Sequence, residues 1–429
     1  MNAKTFAALL VGLVISAGAL VARADEPFPE PATFTTSAIT PFAIEGLTGD
    51  DAGNLYTTGR QTDTAKKCPV WRITGSSRVT VGFIPNQANT PPTSAPCNPS
   101  GITFDRSGNL YIADAATISG VSGFVWKVTP DPIGCASDDS SSLLCASIPV
   151  ATAFASGVPG TNGLAFDRHG NLWTGDGTTG QGRVWKIDPS GGACEPTFIG
   201  CVEAFRIQPK RNSTALGGDI AGDGVGRQAR TFPPGTLANT LGGQDLVANG
   251  LAFNREGDLY IADTARGAIW KVEFEHYGDL KSGQTGCDTT FTSNTLCLDA
   301  VFVAHPYLEG TDGIALDRAG NIWNSANERN AIVVVTKHGR VVEIFRTPAN
   351  AAGLRNSADT AAGNSRILEF PTSPFLLGKK FCTSNSDGDR RDNSPRAAGE
   401  INGGAGAARG KISCMDQDLK IPGLPLPVH

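Results

Sequence analysis

One sentence is written five times in this chain, and it limits the fold more than any other feature. "EGLTGDDAGNLYTTG" begins at Glu45, "SGITFDRSGNLYIAD" at Ser100 and "NGLAFDRHGNLWTGD" at Asn162. "NGLAFNREGDLYIAD" follows at Asn249 and "DGIALDRAGNIWNSA" at Asp312. Each copy holds a variable polar residue, a glycine, an apolar strand, an Asp-x-x-Gly-Asn-like turn and a second strand. The turn residues suit a hairpin, and the β-branched and aromatic flanks suit strands. Most copies run on into a third strand, as in "FVWKV", "RVWKI", "AIWKV" and "AIVVV". No long helical period separates them, which excludes βαβ architectures.

Small antiparallel sheets repeated in sequence cannot bury both faces alone, and radial packing into a propeller solves this. The starts at 45, 100, 162, 249 and 312 lie 55 to 87 residues apart, so loops are inserted between blades. The longest insertion runs from about 203 to 246. A fainter sixth unit combines "EFPTSPFLLGKKFCTSN" and "GKISCMD", with a Gly/Ala/Arg-rich loop at 386–410 between them. It lacks an outer strand, which "ATFTTSAIT" at 32–40 can supply. The expected fold is therefore all-β, a six-bladed β-propeller whose N-terminal strand closes the last blade.

The rest of the chain divides around that core. Residues 1–24 have a basic start, an apolar run and an Ala-Arg-Ala ending, the pattern of a signal peptide cleaved after Ala24. Residues 25–40 carry the closing strand, 41–420 the propeller and 421–429 a tail. Export to a secreted or periplasmic location follows, with no membrane anchor after cleavage. A net charge of −5 argues against nucleic acid. Ten cysteines in an exported chain point to disulfides. The spacing pairs Cys135 with Cys145, Cys194 with Cys201 and Cys287 with Cys297. Cys68 with Cys97 and Cys382 with Cys414 complete the set. Zinc is disfavoured because no CxxC pair or nearby histidine is present.

The variable residue leads the inner strand of each unit, so equal offsets mean equal height on the propeller axis. Glu45, Ser100, Asn162, Asn249, Asp312 and Ser373 are expected to ring one point. That ring holds two carboxylates and no basic residue. A divalent cation relieves their repulsion, and the all-oxygen donor set suits a hard ion such as calcium. The recurring Trp126, Trp185 and Trp270 read as packing between blades. His169 and His338 sit in turns, His276 has no sequence partner, and His305 lies seven residues before Asp312. "GDGVG", "SDGDRRDN" and the sequon at Asn212 read as solvated loop.

These units resemble the family of regucalcin (senescence marker protein), gluconolactonase and luciferin-regenerating enzyme, over roughly residues 41–420. The resemblance implies one axial divalent metal, usually calcium, and hydrolysis of a lactone or related ester. It implies Glu45, Asn249 and Asp312 as metal ligands and Asn162 at the metal's edge, contacting water or substrate. Ser100 and Ser373 complete the substrate-facing ring. Asp312 doubles as general base for water attacking a metal-polarised carbonyl, or as nucleophile in a fluorophosphatase-like variant. Two positions depart from the family's pattern: Leu47 replaces a common proline, and Gly160 replaces an arginine that contacts sugar lactones. No histidine pair matches the paraoxonase dyad. The repeat also resembles non-catalytic NHL-type propellers, which bind a ligand or protein, and more weakly virginiamycin lyase. The expected partner is a small-molecule lactone or ester; the oligomeric state is left open.

Overall fold

The computed structural model describes residues 28–29, 32–61, 63, 65–86, 97–118, 120–177, 179–208, 247–275, 278–346, 367–386 and 410–426. The signal segment, most of the 203–246 insertion with Asn212 and "GDGVG", His276, and nearly all of 386–410 lie outside these residues.

Six sheets stand in sequence order. Blade 1 comprises Thr48–Gly49, Leu55–Thr58, Cys68–Thr74 and Ser77–Ile84. Blade 2 comprises Pro99–Phe104, Leu110–Ile118, Val121–Val128 and Thr152–Ser156. Blade 3 comprises Thr161–Phe166, Leu172–Asp176, Arg183–Ile187 and Cys201–Arg206. Blade 4 comprises Ala248–Phe253, Leu259–Asp263, Ala268–Val272 and Val301–Ala304. Blade 5 comprises Thr311–Leu316, Ile322–Ala326, Ala331–Val335 and Val341–Arg346. In blade 6, Pro371–Leu377, Lys380–Asn385 and Lys411–Met415 are joined by Phe34–Ile39, which pairs antiparallel to Lys411–Met415. The N-terminal strand thus closes the ring, as the sequence suggested. One strand was not anticipated: Gly192–Ala193, from a loop of blade 3, adds in parallel to the edge of blade 2. The insertion also begins later than 203, because Cys201–Arg206 is the outer strand of blade 3.

The repeated turn has a specific physical purpose. Asp105 accepts from the backbone N–H of Ser107 and Asn109 with one oxygen, and from Asn109 Nδ2 and the Tyr111 hydroxyl with the other. Asp50, Asp167 and Asp317 repeat the clamp on Asn54, Asn171 and Asn321. In blade 4 the roles swap: Asn254 Oδ1 accepts from Asp258 N–H while its Nδ2 donates to Asp258 Oδ2. Gly108 takes φ of 80° within such a turn, which a side chain would resist. One carboxylate therefore satisfies a whole hairpin tip and pins the following aromatic residue.

Blades pack through their apolar faces. Trp126, Trp185 and Trp270 are buried, and one continuous cluster runs from Val184 and Phe205 of blade 3 through Ile269 to Val333 of blade 5. Aromatic burial of this kind supplies much of a propeller's cohesion. All five expected disulfides are present: Cys68–Cys97, Cys135–Cys145, Cys194–Cys201, Cys287–Cys297 and Cys382–Cys414. On the axis, Leu47, Ile102, Leu251 and Ile314 line a cavity of about 90 Å³, with Leu424 and Leu426 of the C-terminal segment at its edge. That segment is fastened by Gly423 N–H to Gly378 O and Leu424 N–H to Leu316 O.

Candidate functional site

In blades 2 to 6 a bulge in the inner strand explains how the leading residue is presented. Pairing to the second strand breaks between Pro99 and Ile102, Thr161 and Leu164, and Ala248 and Leu251. It breaks likewise between Thr311 and Ile314 and between Pro371 and Pro374. Ser100, Asn162, Asn249, Asp312 and Ser373 all fall inside these interruptions. Bulges re-aim a side chain out of the sheet's alternation.

The glycine after each leading residue of blades 1 to 5 is the contact between blades. A β-carbon on Gly46 would lie 2.2 Å from Ser100 O, and one on Gly101 would lie 2.3 Å from Asn162 O. On Gly163 it would lie 2.3 Å from Asn249 O, and on Gly250 2.4 Å from Asp312 O. Gly313 meets Ser373 Cα in the same way, at 2.9 Å. Thr372 Oγ1 donates to Glu45 O at 2.8 Å and closes the circle. The six leading residues are therefore neighbours in one backbone collar. Glycine is required there because backbone touches backbone, whereas the residue before it is free to vary.

A second column of residues, fifteen positions after the first, supplies the side-chain partners. Asp312 Oδ2 accepts from Asn327 Nδ2 at 2.8 Å. Asn249 Nδ2 donates to Thr264 Oγ1 at 3.0 Å, and Thr264 Oγ1 donates on to Thr311 O at 2.6 Å. At Asn162 the equivalent residue is Gly177, where any β-carbon would lie 2.8 Å from Asn162 Cβ. At Glu45 it is Arg60, whose guanidinium forms an ion pair with the Glu45 carboxylate. This corrects the expectation of a ring without basic residues. Arg60 was missed because its column reads Arg, Ala, Gly, Thr, Asn and shows no shared residue type; only the constant spacing marks it.

Asn249 Oδ1 is buried and has no hydrogen-bond partner among the described residues. Ser100, Asn162, Asn249 and Asp312 are all buried, while Glu45 and Ser373 are partly exposed. Ser100 Oγ donates to Thr161 O at 3.2 Å, and Ser373 N–H donates to Ser384 Oγ at 3.1 Å. Among the described residues no three His, Cys, Asp or Glu side chains converge on a metal position. The collar contributes only two carboxylates; its other oxygens are amide or hydroxyl.

Three further buried carboxylates, unforeseen from sequence, lie on the second strands of blades 2 to 4. Burial pushes the Asp114, Asp176 and Asp263 carboxyls up, against bonds from Trp126, Arg183 and Arg266 respectively. They pin the second strand to the third: Trp126 Nε1 donates to Asp114 at 2.8 Å, and Trp270 Nε1 to Asp263 at 3.0 Å. His305 caps the short helix Pro306–Leu308, its Nδ1 accepting from Tyr307 N–H. His169 and His338 are exposed on turns.

Such a six-bladed propeller, with a collar of carboxylate, amide and hydroxyl groups on its axis, defines the class. Within it, the family likeness rests on one stretch of the chain. Residues 214–353, about a third of the chain and holding blades 4 and 5, match the family described as the SMP-30/Gluconolactonase/LRE-like region. No curated protein matches the sequence. Among solved structures, the PQQ-bound aldose sugar dehydrogenase of Streptomyces coelicolor is similar at 13% identity and TM-score 0.51, covering 90% of this chain and 100% of that one. Regucalcin of Agrobacterium tumefaciens is similar at 15% identity and TM-score 0.48, covering 91% and 94%. A gluconolactonase of Xanthomonas campestris is similar at 13% identity and TM-score 0.43, covering 92% and 95%. At these identities the likeness is one of fold, and fold alone does not assign chemistry.

Proposed function

We propose that the chain is a hydrolase of a lactone or related ester that works with a divalent cation, calcium by its donor chemistry. The observation that carries this reading is the orphaned Asn249 Oδ1, a buried acceptor that nothing in the described chain satisfies. Leaving such a group unpaired costs free energy, about 1–3 kcal/mol. A cation seated against it and the Asp312 carboxylate removes that cost, and oxygen-only ligands select a hard ion. Asn249 and Asp312 fit the ion directly; Glu45 fits once its pair with Arg60 opens.

When bound, such an ion would polarise a substrate carbonyl as a Lewis acid. The chain's own residues would do the rest. Asn327 fixes the Asp312 carboxylate by one oxygen, which orients it to accept the proton of an attacking water. Asn162, pressed by Gly177 and given no partner from it, would direct its amide to water or substrate. Ser100 and Ser373 line the same ring and would contact the substrate. Five disulfides accord with an oxidising secreted or periplasmic setting. No described helix is long and apolar enough to cross a membrane.

Elemental analysis of the purified chain, then a lactone and ester panel with and without chelator, tests the proposal. We expect stoichiometric calcium, turnover lost on chelation, and turnover lost in Asp312→Asn. The Arg60–Glu45 pair favours one competitor, a non-catalytic NHL-like propeller in which Glu45 is already neutralised. A retained metal with no turnover across the panel would favour that competitor.

A further inference from the structure

We infer that Arg60 competes with a divalent ion at the hub for the Glu45 carboxylate, so that the ion is held more weakly than an unpaired Glu45 would hold it. The inference rests on the ion-binding reading above and concerns how tightly the ion is held. Arg60 is the one charged member of its column, since Ala115, Gly177, Thr264 and Asn327 stand at the same spacing from the other leading residues. Its side chain is anchored as well as paired: Arg60 Nε donates to Pro99 O at 3.2 Å, and its backbone N–H donates to Ala43 O at 2.9 Å. The guanidinium thus joins Glu45, ahead of blade 1's inner strand, to Pro99 at the start of blade 2. The Glu45 side chain it meets is only 12% exposed, so water does little of the neutralising.

An oxygen held by an arginine is a poorer donor to a metal ion, and the fixed positive charge also repels that ion. Ion binding therefore competes with the pair. The observed affinity falls by what the pair is worth, roughly tenfold or more for a charge-assisted hydrogen bond. Removing the charge should leave Glu45 free to coordinate. Replacing arginine by lysine keeps the charge while giving up the Nε bond to Pro99 O, which separates electrostatic competition from a purely structural clamp.

The experiment is calorimetric titration of calcium into the purified full-length chain and its Arg60→Gln, Arg60→Met and Arg60→Lys variants. Thermal melts in chelator establish that each variant is folded. We expect Arg60→Gln and Arg60→Met to bind calcium about tenfold or more tightly than wild type, and Arg60→Lys to stay close to wild type. Detectable binding only in the two neutral variants supports the inference equally. Equal affinity in all four chains, or equal tightening in Arg60→Lys, overturns it and leaves the ion-binding reading standing. No binding in any of the four overturns both.

Discussion

Gly163 lies so close to the carbonyl oxygen of Asn249 that a β-carbon at position 163 would sit 2.3 Å from it. The neighbour is backbone, so it cannot swing aside. We expect Gly163→Ala to destabilise the protein by about 1–3 kcal/mol, the usual cost of overpacking, and to weaken calcium binding by displacing Asn249. Urea midpoints and calcium titrations measure the two effects. A variant with wild-type values in both would show that the collar is not tight.

Asn327 donates to Asp312 at 2.8 Å and orients the proposed base. Partners that orient a metal-site or catalytic carboxylate are worth 10–100-fold. Asn327→Ala should therefore cut kcat/KM on the best lactone by at least about tenfold, beyond the stability lost with a fully buried partner. Unchanged kinetics in a folded variant would argue against Asp312 as the base.

The turn clamp allows a swap test. Asp105→Ala removes an acceptor for four donors and should cost about 2–3 kcal/mol. Blade 4 holds the same turn with the amide and carboxylate exchanged, and there Lys271 pairs with Asp258 at 3.0 Å. Lys127 lies 3.9 Å from Asp105, ready to follow the charge. The double change Asp105→Asn with Asn109→Asp should thus cost less than about 1 kcal/mol, far below either disruption alone. Chemical denaturation of the single and double variants decides it.

Burial pushes the Tyr56 hydroxyl up to about 12, reinforced by its bond to the Asp50 carboxylate and by that charge. An unfolded tyrosine ionises near pH 10. The folded state's advantage from neutral Tyr56 is therefore whole below about pH 10 and is lost as pH rises through about 12. Alkaline titration of tyrosinate absorbance should show a late component that vanishes in Tyr56→Phe. Burial also raises Tyr111 and Tyr260, so their components should trail as well.

Strand Phe34–Ile39 is the outer strand of blade 6, and Phe34 meets Phe381 edge-to-face at 5.8 Å. Deleting residues 32–40 exposes that edge and the cluster around Phe381. We expect loss of fixed near-UV dichroism and of cooperative melting, restored in part by the missing segment added as a peptide. Retention of a sharp transition without it would show that five blades and a partial sixth suffice.

The parts legible in the sequence are those coded locally. The Asp105–Asn109 clamp sits within five residues, so every copy announces its own hairpin. Glu45, Asn162, Asn249 and Asp312 share an offset from a glycine that the collar needs, so their places along the backbone collar were readable as well. Arg60 was hidden because a partner's chemistry differs from blade to blade, and variation looks like noise unless the spacing is followed. Gly192–Ala193 was hidden for a different reason: it pairs with a neighbouring blade, and only the folded ring brings the two edges together. The sixth unit was faint because Pro374 replaces the collar glycine and its partner Ser384 comes eleven residues after Ser373, not fifteen.

The pairing of Phe34–Ile39 with Lys411–Met415 joins segments from opposite ends of the chain. Contacts so remote in sequence form late, because the whole intervening loop must be closed first. A nascent chain that has made five blades holds an open arc, with Glu45 and Asp312 on separate stretches of it. The chemistry proposed for them therefore waits on a single event, the docking of the first strand against the last one made.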